Sequence, residues 1–296
     1  MRALVLSGGG SRGQYHVGVL KNLYQTRKIQ HDLISGVSIG ALIGGYLAQY
    51  AKGREAQAID GLSHLMRDIT TADIHKAWPL GVLSGLWNKR SFRNNAPLRE
   101  LVRSSIHAPL IASSGKALRV GVTLLQPREL QNELATNYEV FDEKNPDILG
   151  AIMASCALSP FFEPVELHGQ LAIDGGVQAI TPISAAIDAG ATVIDMVVCY
   201  PPFLTYTRKD QLNAIGLGLH VLDLLVQKLT WVDIDQTRRI NKLVKQLELP
   251  NKRYVTLNVI APKTDFVVNS LSFVPREAKQ LQAQGYEDAK TLDFSA

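Results

Sequence analysis

Cysteine is nearly missing from this chain: 296 residues hold only Cys156 and Cys199. No Cys-x-x-Cys and no His-Glu-x-x-His occurs, so metal ligation has little sequence basis. The two cysteines sit in apolar surroundings and read as buried thiols in a reducing compartment. Long apolar runs are missing too. The first, Met1-Arg2-Ala3-Leu4-Val5-Leu6, ends at Gly8, too short for a secretory signal, and no later run reaches a membrane span. The expectation is a cytoplasmic protein, at most peripheral at a membrane. Charge of one sign is scarce: 31 Lys and Arg stand against 27 Asp and Glu, a net charge of +4. That balance argues against nucleic acid and suits an anionic membrane surface. There is no internal repeat, low-complexity tract or linker, so residues 1–296 read as one domain, and 46% hydrophobic residues supply its core.

What is present is an alternation. Residues 2–7, 32–36, 119–125, 192–199 and 253–261 read as strands, and 130–141 as strand material pairing with them. Segments 14–27, 38–51, 54–67, 97–107 and 275–292 have helical periodicity. Asn145-Pro146-Asp147 reads as a helix start with Asn145 as the cap and proline at the first helical position, running to Ser155. A strand pair at 165–167 and 170–173 follows, then a helix from Pro182 to Ala189. Such alternation predicts an α/β fold with a mostly parallel sheet. Residues 70–95 read as irregular. Residues 211–247 read as one long or broken helical segment. Its apolar face carries Ile215, Leu219, Leu222, Val226 and Leu229. Arg238, Lys242 and Lys245 form a basic face, either solvated or set against anionic lipid.

Two glycine motifs carry chemistry. Gly36-Val37-Ser38-Ile39-Gly40 joins a short strand to an alanine-rich helix. A sharp strand-to-helix turn exposes the serine hydroxyl, and the glycines let the backbone crowd there. Ser38 is therefore the candidate nucleophile. Earlier, Gly8-Gly9-Gly10-Ser11-Arg12-Gly13 follows the first strand. It matches the dinucleotide fingerprint, which also wants an acid about twenty residues on, at the end of the next strand. Asp32 has that distance but stands at the start of its strand. The same glycines suit a cluster of backbone N–H groups around an oxyanion. A third signal, Asp174-Gly175-Gly176, is either a hairpin turn or a strand end, because Thr181-Pro182 soon opens another helix.

In this order the three motifs resemble the patatin-like phospholipase family. Ala154-Ser155-Cys156-Ala157-Leu158-Ser159-Pro160-Phe161-Phe162 and Ile173-Asp174-Gly175-Gly176-Val177 resemble its middle region. The likeness covers residues 1 to about 200, leaving 211–296 as a helical and strand part of the same domain. It implies a three-layer α/β/α fold and a Ser–Asp dyad that needs no cofactor or metal. It also implies hydrolysis of phospholipid or related lipid esters, with lipid as the partner. Residue by residue it implies Ser38 as nucleophile, Asp174 as base, Gly175 and Gly176 as the base turn, and Gly36 and Gly40 as the elbow. Gly8, Gly9, Gly10, Arg12 and Gly13 would form the oxyanion hole, with a structural ion pair as the other reading of Arg12. Ile39 and Cys156 depart from the family's usual residues and are expected to border the site. Of the seven histidines only His220 follows Asp174, as a Ser–Asp–His triad would require. It lies in the amphipathic segment and reads as a surface or core residue. The rivals are a dinucleotide-binding protein using Gly8–Gly13 and a lipid-binding protein with a silent site.

Overall fold

The alternation within Arg2–Leu6 (β1) decides the architecture. Leu4 and Leu6 pack into one core, Ala3 and Val5 into another, and all four are fully buried. A strand buried on both faces belongs inside a parallel sheet with helices on each side. The computed structural model describes residues 1–79, 90–128, 133–203, 214–247 and 252–291. In chain order the elements are α1 (Gln14–Lys21), β2 (Leu33–Gly36), α2 (Ile39–Ala48), α3 (Glu55–Asp68) and α4 (Thr71–Ile74). Then come β3 (Lys76–Ala77), β4 (Arg93–Asn94), α5 (Ala96–Ser105), α6 (Ala108–Ser113), β5 (Ala117–Arg128) and β6 (Glu133–Asp142). The second half holds α7 (Ile148–Ser155), β7 (Val165–Leu167), β8 (Gln170–Asp174), α8 (Ile183–Asp188) and β9 (Val193–Val197). It closes with α9 (Ala214–Leu247), β10 (Thr256–Ile260) and α10 (Pro275–Lys290).

The main sheet runs β10-β9-β1-β2-β5-β8-β7, with β6 also on β5. From β10 to β5 every neighbour is parallel; β6, β7 and β8 add the antiparallel pairs. One face is covered by α1, α2, α3, α5, α7 and α10. The other is covered by α8 and α9 through Ile183, Ala186 and Ile234. This is the expected three-layer α/β/α arrangement. The register matters for function: Leu6 lies level with Gly36 on one side and Val197 on the other. The segments leaving β1, β2 and β9 therefore emerge together at the carboxyl edge, where open α/β sheets bind ligands.

Local boundaries depart from the sequence reading where a side chain intervenes. The cap of α7 is Asp147, because the Asn145 side chain accepts the Asp147 N–H at 2.9 Å and holds a turn ahead of the helix. Beyond Lys21 the first helix continues as one π turn, Asn22–Thr26. Within 70–95 the chain forms α4, closed by a reciprocal Thr70–Asp73 capping box, and a short β3–β4 hairpin; residues 80–89 lie outside the described part. Along α9, unbroken from Ala214 to Leu247, Leu229 is 47% exposed and not part of an inner face. The side chain of Ile215 lies outside the described residues.

Candidate active site

β2 ends at Gly36, and two residues later Ser38 caps α2 with φ 55° and ψ −128°. A non-glycine residue in that region is strained, and such strain persists only where neighbours enforce it. The neighbours are visible. A Cβ on Gly36 would lie 2.3 Å from the Gly40 carbonyl oxygen, and one on Gly40 would lie 2.3 Å from that of Leu6. The elbow thus closes only with glycine at both positions. Ser38 N–H donates to Ser155 Oγ at 2.9 Å, and Ser155 Oγ donates to the Gly121 carbonyl at 2.7 Å. Cys156 Sγ donates to the Ser38 carbonyl at 3.2 Å. Burial, with Asp174 adding to it, pushes the Cys156 thiol well above its ordinary range, so it stays neutral.

Asp174 ends β8 and is 2% exposed. Ser38 lies near enough to its carboxylate to favour the charged form, and Gly176 N–H donates to Oδ1 at 2.7 Å. Gly175–Val177 forms a single 3-10 turn, so Asp-Gly-Gly here caps a turn and is not a hairpin. A Cβ on Gly175 would lie 2.3 Å from the Gly121 carbonyl oxygen. Burial pushes the Asp174 carboxyl up to about 7, against Ser38 and the Gly176 N–H, which favour its charged form. A carboxylate of that pKa is a competent base near neutral pH.

The glycine loop leaves β1 beside this pair. Gly8 N–H donates to the Ile180 carbonyl, Ser11 N–H to that of Ser270 and Arg12 N–H to that of Gly9. Among the described residues no backbone partner takes the N–H groups of Gly9 and Gly10, and both residues line the cavity described below. Gly10 has φ 56°, and a Cβ there would lie 2.1 Å from the Ser270 oxygen. Gly13 packs against Ile39. The Arg12 guanidinium is buried, 3.1 Å from Asp265, 3.8 Å from Asp223 and 4.8 Å from the centre of the Tyr200 ring. Gly8, Arg12 and Gly13 therefore shape the loop, whereas Gly9 and Gly10 face the cavity.

That cavity holds about 320 Å³, within the usual span of roughly 300–1,000 Å³ for small-molecule sites. Ser38, Asp174, Gly9 and Gly10 all line it. Leu158, Phe162, Ile180, Leu219, Leu222, Val226, Val268 and Leu271 make the remainder largely apolar. A reactive polar pair inside an apolar pocket fits an ester with a hydrocarbon chain.

The patatin-like phospholipase family model matches residues 4–187, more than half of the chain. The chain belongs to the patatin-like phospholipase family. Among its relatives, an uncharacterized NTE family protein of Mycobacterium tuberculosis is 27% identical over 195 residues, covering 64% of this chain and 47% of that protein. Triacylglycerol lipase 4 of Saccharomyces cerevisiae is 24% identical over 248 residues, covering 78% of this chain and 25% of the lipase. The chain thus spans less than half the length of either relative. A crystal structure of VipD from Legionella pneumophila aligns with TM-score 0.46 and 13% identity, over 98% of this chain and 66% of that one.

Against the family pattern, Cys156 borders the cavity as expected, but Ile39 turns away from it onto Gly13. Asp32 stands at the opposite end of β2, bonded to Lys52 and to the N–H of Arg2, away from the glycine loop that a dinucleotide would occupy. His220, expected at the surface or in the core, lines the cavity, as do Tyr200, Asp223, Asn269 and Ser270. Tyr200 and Ser270 hydroxyls both donate to Asp223, at 2.7 and 2.8 Å. No motif marks these residues; only the fold brings them to the loop. Ser155 stands inside the segment 154–162, but its role as a bridge from Ser38 N–H to Gly121 has no sequence signal. Ser155→Ala is expected to leave both groups unpaired in a buried setting, at a cost of about 1–3 kcal/mol. Urea denaturation reads the loss, and an unchanged midpoint would count against the bridge.

Proposed function

We propose that this protein is a serine acyl hydrolase of the phospholipase A or lysophospholipase type, cleaving phospholipid or related lipid esters through a Ser38–Asp174 dyad. The observation that carries the reading is that Ser38 and a buried Asp174, near enough to interact, line one largely apolar cavity. Ser38 Oγ attacks the ester carbonyl while Asp174 takes its proton. The N–H groups of Gly9 and Gly10 stabilise the tetrahedral anion, with the N-terminus of α2 adding a favourable field. Collapse of that anion expels the alcohol, which leaves with the proton held by Asp174. A water then gives its proton to Asp174 and attacks the acyl-serine. The second tetrahedral anion releases the fatty acid as Ser38 recovers a proton. The substrate reaches the site through transient contact with a membrane on the cytoplasmic side.

The test compares the unaltered chain with Ser38→Ala on a mixed lipid extract, with products identified by mass spectrometry. Free fatty acid and the matching lysolipid should appear only with Ser38 present, and a fluorophosphonate should label Ser38 stoichiometrically. Turnover retained by a folded Ser38→Ala protein would sink the assignment, and products other than fatty acids would sink the reaction class.

A further inference from the structure

We propose that the outer face of α9 is a docking surface for an anionic lipid membrane. The inner face of this helix lines the Ser38 cavity through Leu219, Leu222 and Val226. A helix covering a site ordinarily turns polar residues outward. Here the outer face is apolar as well apart from Lys228: Leu217, Val221, Leu225, Leu229 and Val232 are 45–56% exposed. Spacings of four, four, four and three keep them on one stripe, about 22 Å long at 1.5 Å per residue. One exposed leucine carries no meaning, but a contiguous apolar stripe marks an interaction surface.

Two observations choose the partner. Phe203, 43% exposed, adds an apolar side chain beside the same helix, where Gln227 of α9 donates to its carbonyl and Trp231 Nε1 donates to that of Pro201 at 3.0 Å. Further along the same helix exposed basic residues gather: Arg238, Arg239, Lys242 and Lys245, with Asp235 and the exposed Leu243 and Leu247 among them. An apolar half beside a basic half matches acyl chains below anionic headgroups. A second copy fits poorly. Parallel pairing would set basic ends together, and antiparallel pairing would set each basic end on an apolar half. The preference for a membrane rests on the lipid-hydrolase reading, and the stripe would then hold the cavity within one helix diameter of the substrate's own phase.

The test measures binding without turnover. The full chain carrying Ser38→Ala is mixed with phosphatidylcholine vesicles, with and without phosphatidylglycerol, and floated on a density gradient. Leu225→Asp with Leu229→Asp should weaken binding to both vesicles by at least about tenfold, since neither residue lines the cavity. Arg239→Glu with Lys242→Glu should weaken binding only to the anionic vesicles. With Ser38 restored, all these variants should cleave a short-chain soluble ester as the unaltered protein does. Absence of vesicle binding by the Ser38→Ala chain, or undiminished binding by the leucine variant, would overturn the proposal. So would light scattering that shows a dimer which the leucine substitutions split. If no ester is cleaved but the variants still separate on vesicles, the hydrolase reading fails and the surface stands.

Discussion

Replacing Asp174 by Asn is expected to lower ester turnover by roughly 10²–10⁴, the usual loss for a general base. The amide keeps the shape and can still accept the Gly176 N–H, so the loss reports the missing proton acceptor. The pH dependence is specific. As a general base Asp174 would have to be ionised, and burial pushes it up to about 7, so turnover by the unaltered protein should rise through about pH 7 and then level. Stability should move the other way. An unfolded aspartate titrates near 3.9, so between about pH 4 and 7 the folded state binds the extra proton and stability falls as pH rises. Asp174→Asn removes that burden. It should be more stable than the unaltered protein at pH 8, with the gap closing toward pH 4. His220→Gln is the control, because His220 also borders the cavity. It should keep most activity and the same ascending limb. A loss equal to that of Asp174→Asn in a folded protein would make the site a triad.

The parts of this site that were legible before the fold are those where a local backbone demand selects residue types at fixed spacing. Gly36 and Gly40 are written into the chain because each sits against a carbonyl oxygen with no room for a Cβ. The same holds for Gly10 against Ser270 and for Gly175 against Gly121. β1 was legible as a buried strand because it is apolar on both faces. The illegible parts depend on contacts far apart in the chain. Ser155 reaches back to Ser38, Ser270 and Asn269 reach the glycine loop, and Asp223 reaches it from α9. Periodicity also failed along α9, where inner and outer faces are both apolar and spacing alone cannot say which one packs. Leu229 shares by spacing the apolar face of Leu219, Leu222 and Val226, yet it lies outward.

Arg12 is expected to be the most stability-sensitive side chain near the site. It and Asp265 are both 1% exposed, and the pair ties the glycine loop to the segment between β10 and α10. Removing one partner of a buried ion pair leaves the other charge without its compensation, which costs about 3–5 kcal/mol. Total stability of a folded protein is only about 5–15 kcal/mol, so Arg12→Met should shift the urea midpoint far down. The physical cause is tested by adding Asp265→Asn. If the penalty is the buried carboxylate, the double variant should recover most of the lost stability, because replacing both charges of a pair is often nearly neutral. Equal instability of single and double variants would locate the effect instead in lost packing over the Tyr200 ring. Turnover of the double variant separates two roles for Arg12. A loop support should return activity along with stability, because Gly9 and Gly10 keep their places. A guanidinium that itself donates to the oxyanion should leave a stable protein still slower by roughly 10²–10³, the loss typical of one missing oxyanion donor. With both nitrogen ends turned toward Asp265 and Asp223, the support role is the expected result.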